Sequence, residues 1–394
     1  MLFHSTRGND SGKDFATVLM QGLADDGGLF MPDHWPQVDL EEIKSKTSFI
    51  DVAKCIVPLF TTSSFSYAET IKIVEDTWHD FEHSDLVGIQ TFDDVSILEL
   101  FHGPTAAFKD FGLQLAAAFF NEVLESENKT AIVLGATSGD TGPAAIDACK
   151  SYKRIKSFIM LPNGNMSEVQ RRQMSIINAK NVFALRINGT FDDCQAMVKT
   201  AFLDDQLTSQ MQLTSANSIN VARWLPQLFY FIFAYKQLHN KYDDIVFSIP
   251  SGNFGNVCAG MMAQQLGLPI SHFIASNNAN NVVTRYLTSQ LYEPKPSVQT
   301  ISNAMDVGAP SNFIRIQEIY KKAKQIKAAK DRPIINLSHL NSQKNRNGAV
   351  RVKEQKFQKV MSFYELMANV LEIHLALIEN DMVFCDQMAT EDYI

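Results

Sequence analysis

The stretch Ile245-Val-Phe-Ser-Ile-Pro-Ser-Gly-Asn-Phe-Gly-Asn256 runs directly into Val257-Cys-Ala-Gly-Met-Met262. It reads as strand, small-residue loop and helix, and it decides the fold class. Gly252 and Gly255 let the backbone turn and come close to a ligand. N–H groups at the start of the helix point at whatever sits before them, and the helix dipole favours negative charge there. The spacing is neither Walker A, because no Gly-Lys-Ser/Thr follows, nor a G-x-G-x-x-G fingerprint. It is a compact cradle suited to one phosphate. An ordinary strand-to-helix turn accounts for it equally well when it is read alone.

The pattern repeats on both sides. Short β-rich runs at Val95–Leu100, Ala131–Gly135, Ser157–Leu161, Val182–Ile187, Ile245–Ile249 and His272–Ala275 alternate with helical patterns. The helices are expected near Ala106–Leu124, Pro143–Ser151, Ser167–Asn178, Phe191–Phe202, Val221–Leu238 and Gly255–Leu266. This alternation predicts an α/β protein with parallel strands and helices on both faces. Residues 1–85 read as mixed helix and loop, with a tight turn at Asp25-Asp-Gly-Gly28. A chain of 394 residues, 45% of them hydrophobic, is too long for one small core and suggests two or three packed modules. The expected division is 1–90 as an N-terminal module, 91–130 with 215–330 as a ligand-binding α/β domain, 131–214 as a smaller inserted α/β domain, and 331–394 as an atypical tail.

The net charge of −8 and the absence of a long basic run argue against a nucleic-acid surface. Five widely spaced cysteines without a C-x-x-C pair suggest neither a metal site nor a disulfide framework. No signal-peptide h-region opens the chain, and the apolar stretch Leu225–Tyr235 is too short to span a bilayer. A soluble cytoplasmic protein is therefore expected, with no membrane partner and acting as a monomer or homodimer.

Three more segments carry groups for chemistry. In Leu100-Phe-His-Gly-Pro-Thr-Ala-Ala-Phe-Lys-Asp-Phe-Gly112 a turn precedes a helix that Thr105 can cap. Lys109 then sits among Phe101, Ala106, Ala107, Phe108 and Phe111. Apolar surroundings disfavour the charged ammonium and so favour the neutral amine that Schiff-base chemistry needs. A surface lysine on an amphipathic helix is the plainer reading of the same residues. Leu134-Gly-Ala-Thr-Ser-Gly-Asp-Thr-Gly-Pro143 offers the Thr137, Ser138 and Thr141 hydroxyls, where a carboxylate can dock, with Asp140 at the same mouth. A simple helix cap also explains it. In Thr214-Ser-Ala-Asn-Ser-Ile-Asn-Val-Ala-Arg223, Asn217, Ser218 and Asn220 are small hydrogen-bonding groups, and Arg223 can reach back toward a second phosphate as a planar fork; a polar loop before a helix explains the segment equally well. Three of the four segments lie at strand ends, where open α/β sheets bind ligands.

Together these segments resemble the signature segments of the threonine synthase family. Gln21-Gly-Leu-Ala-Asp-Asp-Gly-Gly-Leu-Phe-Met-Pro32 is similar to that family's N-terminal module, and Ser302-Asn-Ala-Met-Asp-Val307 to a further segment. The likeness runs from about residue 1 to about residue 325, with six segments in order. It implies a fold-type-II enzyme dependent on pyridoxal 5′-phosphate, with two open parallel or mixed sheets flanked by helices plus an N-terminal module. It also implies that Lys109 carries the cofactor, that Gly252, Asn253, Phe254, Gly255 and Asn256 hold its phosphate, and that Asp140 lies near its ring hydroxyl. Ser138 and Thr141, with Thr137, would receive the substrate carboxylate. Asn217, Ser218 and Arg223 would receive the substrate phosphate. The implied substrate is O-phospho-L-homoserine and the implied products are L-threonine and phosphate.

Two alternatives remain open at the level of sequence. The same apparatus can run plain elimination to a 2-oxo acid. A relative that binds the cofactor without turning over is the other. The tail motivates the second, since only Glu372-Ile-His-Leu-Ala376 and Met388-Ala-Thr390 echo the family's closing segments. The tail is expected to be truncated or read in a shifted frame.

Overall fold

The computed structural model describes residues 1–92, 95–163, 166–300, 302, 306–325 and 335–336. Apart from Ile335–Asn336, the expected tail lies outside the described residues, and so do its two echoed segments. The N-terminal region holds β1 (Phe3–Ser5), β2 (Ser11–Lys13), α1 (Phe15–Gln21), β3 (Phe30–Pro32), α2 (Leu40–Ser45), α3 (Phe49–Thr61) and α4 (Tyr67–Asp76). The strands form an antiparallel sheet in the order β2-β1-β3. The expectation of helix and loop alone is corrected here. Three-residue strands are too short to show a period-two pattern in sequence.

β4 (Gly88–Phe92) and β5 (Val95–Glu99) pair antiparallel, with Gly88 opposite Glu99 and Phe92 opposite Val95. The run beginning at Val95 therefore belongs to a two-stranded ribbon, not to the parallel array that its sequence suggested. α5 (Lys109–Ser126) follows it. Next come β6 (Ala131–Ala136), α6 (Thr141–Cys149), β7 (Ile155–Pro162), α7 (Glu168–Ser175), β8 (Val182–Ile187), α8 (Phe191–Leu203), α9 (Asp205–Gln210) and β9 (Gln212–Ser215). These strands make a parallel sheet in the order β8-β7-β6-β9. Val133 of β6 joins the main core with Ile146 of α6, while Leu134 and Ala136 pack with Cys194 and Val198 of α8. Successive strand residues point to opposite faces, so α6 and α8 cover opposite sides of this sheet.

The last described part contains α10 (Val221–Trp224), α11 (Gln227–Leu238), β10 (Ile245–Pro250), α12 (Gly255–Gln265), β11 (Ile270–Ser276), α13 (Val282–Ser289), α14 (Phe313–Gln325) and β12 (Ile335–Asn336). β10, β11 and β12 are parallel neighbours in that order. The single helix expected over Val221–Leu238 is two helices broken at Leu225-Pro226. Pro226 cannot donate an N–H to the helix ladder, and its ring crowds the preceding turn. No helix among the described residues is long and apolar enough to cross a membrane.

Phe49 opens α3 behind a Ser48 capping box and is fully buried. Its ring meets Trp78 at 5.5 Å, Phe111 at 5.4 Å, Phe229 at 6.2 Å and Phe233 at 5.9 Å. This aromatic knot ties the N-terminal module to α5 and α11.

The turn before α5 decides where that helix begins. The expected Thr105 cap is corrected: Phe108 precedes the first helical residue and no side chain caps the helix. Thr105 instead donates its hydroxyl to Asp110 Oδ1 at 2.6 Å and its N–H to Asp110 Oδ2 at 2.9 Å. The carboxylate thus reaches back and closes the loop. Ala106 takes a left-handed backbone with φ 53°, and a Cβ at Gly103 would stand 2.5 Å from Asp110 Oδ2. Asp110 is wholly buried, and burial pushes its carboxyl up to about 6 against the pull of the Thr105 bonds.

Two outcomes follow from this packing. Phe49→Ala should cost about 3–5 kcal/mol of stability, read from the denaturant midpoint, and a loss below about 1 kcal/mol would show that the knot is not a core element. For Asp110, the folded value lies above the unfolded value of 3.8. The folded chain therefore holds this proton more tightly. That contribution is fully present below the unfolded value and is lost as pH rises through about 6. The stability of the parent relative to Asp110→Asn should accordingly fall by ~3 kcal/mol between about pH 4 and pH 7. Parallel stability curves for the two proteins over that range would contradict the assignment.

Candidate active site

Lys109 is the first residue of α5, so its side chain leaves the helix at its N-terminal end. Its Nζ lies 2.8 Å from Asp140 Oδ2 and 5.0 Å from the Phe108 ring centre. The two partners are 13% and 15% exposed, so the pair is sheltered but reachable. The purely apolar setting expected from sequence is thereby corrected. One aromatic ring lies against the amine, and a carboxylate faces it.

Asp140 sits at the N-terminus of α6, in the loop that leaves β6. Its second oxygen, Oδ1, accepts a 2.5 Å hydrogen bond from Gln170 Nε2 on α7. Thr137 is buried. Its hydroxyl accepts from Gly139 N at 3.1 Å and Gly142 N at 3.0 Å, and donates to Gly139 O at 2.8 Å. That hydroxyl is spent on the loop's own shape, which differs from the docking role expected for it. Ser138 and Thr141 are partly exposed at the same mouth.

The cradle between β10 and α12 has the expected strand–loop–helix form. Phe254 precedes the helix with φ 61° and ψ 13°, a left-handed conformation that is uncommon for a bulky residue. The residue preceding α12 makes no side-chain cap, and within the first turn Val257 N–H is taken by Asn256 Oδ1. Asn253 Nδ2 donates to Ser218 Oγ at 2.5 Å, and Asn253 Oδ1 accepts from Ser311 N at 2.6 Å and Ser311 Oγ at 2.9 Å. Asn256 is turned onto its own loop: Oδ1 accepts from Val257 N at 2.9 Å, and Nδ2 donates to Pro250 O at 2.8 Å. The side chains of Asn253 and Asn256 thus brace the loop. Gly252 is partly exposed, while Phe254 and Gly255 are buried.

β9 runs parallel beside β6, with Ser215 opposite Leu134. The 137–141 and 216–220 loops therefore leave neighbouring strand ends, and Asn217 Oδ1 stands 3.9 Å from where a Cβ on Gly135 would be. Ser218 accepts from both Asn253 and Asn312 Nδ2, the latter at 3.0 Å, which joins this loop to the cradle. Arg223 departs from expectation. It is 3% exposed, and its Nη1 donates to Ala216 O, within its own loop. Burial pulls it down to about 10, so it stays protonated at neutral pH. A Cβ on Gly112 would stand 2.5 Å from Arg223 O, so α5 and α10 are in close contact one turn beyond Lys109.

Three residues of this constellation escaped the sequence reading. Arg315 on α14 is fully buried and donates to Ser218 O at 3.1 Å, Ile219 O at 2.5 Å and Asn312 Oδ1 at 2.5 Å. Its guanidinium lies 5.7 Å from the Trp224 ring centre. Asn312 fills the space beside Gly255, with its Nδ2 3.4 Å from a Cβ placed there. Gln170 is the third. Arg315 and Asn312 belong to a segment whose only sequence signal is an amphipathic helix. His102, in the turn before the lysine loop, shares a 3.0 Å hydrogen bond with Glu99.

The donor set suits a phosphorylated aldehyde. It supplies one sheltered amine, a carboxylate against it, and an uncapped helix start built on glycine-rich backbone. Comparison with known proteins agrees with that chemistry. Residues 2–78 match the family described as "Threonine synthase N terminus" and residues 93–346 the family "Pyridoxal-phosphate dependent enzyme". The chain is 40% identical to a threonine synthase of Pseudomonas aeruginosa over 319 residues, covering 80% of this chain and 68% of the relative. A pyridoxal-phosphate-bound threonine synthase structure from Brucella melitensis superposes with a TM-score of 0.76 at 38% identity, over 84% of this chain and 74% of that one. The Escherichia coli threonine synthase structure gives 0.75 at 35% identity, over 85% and 78%. This chain belongs to the threonine synthase family of pyridoxal-phosphate dependent enzymes.

Proposed function

We propose that this protein converts O-phospho-L-homoserine and water to L-threonine and inorganic phosphate. The observation that carries the reading is the Lys109–Asp140 pair, held at the strand ends of a chain that matches threonine synthases over four-fifths of its length. Pyridoxal phosphate, when bound, withdraws electrons from the substrate and makes the protons on its α and β carbons acidic.

The chain's own groups have separable tasks. Lys109 Nζ is the group that holds the cofactor and, once released, moves protons at the substrate's α and β carbons. The backbone N–H groups of Gly252, Phe254 and Gly255 and the start of α12 take the cofactor phosphate, with Asn253 and Asn256 keeping that loop in shape. Asp140 faces the amine and keeps a negative charge beside it. The Ser138 and Thr141 hydroxyls receive the substrate carboxylate, while Thr137 fixes the loop that presents them. Asn217 and Ser218 lie on the loop that meets the substrate phosphate. Arg223 acts on that phosphate from behind this loop, through its charge and its hold on Ala216 O. In this reading the 131–214 segment is the smaller domain, set against the 91–130 and 215–330 domain, and the protein works as a monomer or homodimer in the cytoplasm.

The test uses full-length protein supplied with pyridoxal phosphate and O-phospho-L-homoserine. Phosphate and threonine should appear in equal amounts. Lys109→Ala should lose both, by about a thousandfold or more, together with the visible band of the bound cofactor. Phosphate released with 2-oxobutanoate in place of threonine would convert the assignment to an eliminating lyase. A bound-cofactor band without any phosphate release would overturn the catalytic reading.

A further inference from the structure

Among the described residues Lys109 has one ionic partner, Asp140, and Asp140 has a further partner that is neutral. Gln170 lies on α7 with its N–H bonded to the capping Ser167 hydroxyl at 3.2 Å. It is 8% exposed. Its Nε2 donates to Asp140 Oδ1 at 2.5 Å, leaving Oδ2 to Lys109. Its Oε1 is buried with no partner among the described residues. The opposite amide orientation would set Oε1 against a carboxylate oxygen, so the donor assignment is forced by charge. Leaving a carbonyl oxygen unpaired inside the protein is costly, and a leucine of similar size would avoid that cost.

The same face of α7 makes two more contacts with the site. Gln173, one turn on, donates Nε2 to Thr105 O at 3.1 Å, in the loop that Asp110 closes before Lys109. Met174 lies so close that a Cβ on Gly142 would be 2.6 Å from its Sδ, and one on Gly139 would be 2.7 Å from Gln170 Nε2. One short helix thus reaches the lysine loop through Gln173 and the aspartate loop through Gln170. Residues three apart on a helix share a face, which is why a single element can do both.

We infer that Gln170 is the positioning residue of this active site: its amide fixes the Asp140 carboxylate toward Lys109 without neutralising it. A lysine or arginine in its place would compete with Lys109 for the carboxylate. An apolar residue would leave the carboxylate free to rotate away. A neutral donor satisfies one oxygen and preserves the charge felt by the other. α7 carries the alignment, so anything that shifts this helix changes the geometry at Lys109.

The inference rests on the function proposed above, and the two can fail separately. The parent protein's products test the function, and the Gln170 variants test the alignment. The variants are Gln170→Leu and Gln170→Met in the full-length, cofactor-loaded protein. The readouts are the pH midpoint of the cofactor's visible band, the affinity of the cofactor-free protein for pyridoxal phosphate, and kcat and KM for O-phospho-L-homoserine. The control is Glu168→Gln, which removes charge from the exposed ion pairs with Arg171 and Arg172 on the same helix. Expected in the Gln170 variants are a shift of the band midpoint by about half a pH unit or more, and a fall in kcat of about tenfold or more with KM within about twofold. Glu168→Gln should move none of these. A Gln170 variant whose midpoint and kcat stay at parent values overturns the inference, and so does a control that shifts as far as the variants. If Gln170→Leu fails to fold, Gln170→Met decides by the same criteria.

Discussion

Asp110 accepts two hydrogen bonds from Thr105, and the short loop closed by them makes the adjacent Lys109 the first residue of α5. The position of the amine depends on this closure. It requires glycine at position 103 and holds Ala106 in a left-handed backbone. It places an amine at the start of a helix, where the macrodipole disfavours a positive charge. The cost is a carboxylate taken wholly out of water, which burial raises to about 6. At neutral pH that charge is carried against a desolvation penalty. The fold tolerates it because a neutral residue would hold the loop less firmly than a carboxylate that accepts from a hydroxyl and an N–H together.

Buried charge is used in the same way at the other end of the site. Arg223 and Arg315 are enclosed, and burial lowers both to about 10. Neither makes a direct ion pair among the described residues. Arg223 Nη1 donates to Ala216 O, and Arg315 donates to Ser218 O and Ile219 O as well as to Phe30 O and Asn312 Oδ1. Two guanidinium groups therefore hold one four-residue loop by its carbonyls, and Ser218 passes that rigidity to the cradle through Asn253 and Asn312. The positive charges stay close behind a loop that is read as meeting a phosphate. They act there as fixed field sources in a low-dielectric setting, where no mobile side chain has to be reorganised.

What was legible in the sequence follows from the range of the interactions involved. The cradle at 252–256 and the loop at 137–141 announce themselves because small residues between a strand and a helix are a local pattern. Lys109 stood out through its neighbours in sequence. The individual duties of the side chains were less visible. Thr137, Asn253 and Asn256 look like ligand donors in sequence, yet the fold spends them on loop shape: Thr137 and Asn256 bond within their own loops, where local partners compete directly with a ligand, and Asn253 bonds the distant Ser218 and Ser311. Arg223 looks free in sequence and is enclosed by α5, whose approach depends on Gly112 lying against it. Asn312, Arg315 and Gln170 reach the site across sequence separations of 94, 97 and 30 residues. No local pattern marks them. The three-residue strands of the N-terminal sheet were missed for a different reason: they are shorter than the period that would reveal them.

The division between donors and braces explains why the site can be precise while its loops are rich in small residues. Glycine and serine loops lose much conformational entropy on ordering, so a site built from them needs restraint from outside. That restraint comes from rigid helices. α7 bears on the lysine and aspartate loops through Gln173 and Gln170, while Arg315 of α14 and Asn312 just before that helix bear on the 216–220 loop and the cradle. α5 carries the amine itself and abuts α10. Each loop is thus backed by a helix from a distant part of the chain, and the reactive groups are left on the side that the helices do not cover. Function in this fold depends less on which side chains can touch a ligand than on which helices prevent the loops from moving away from it.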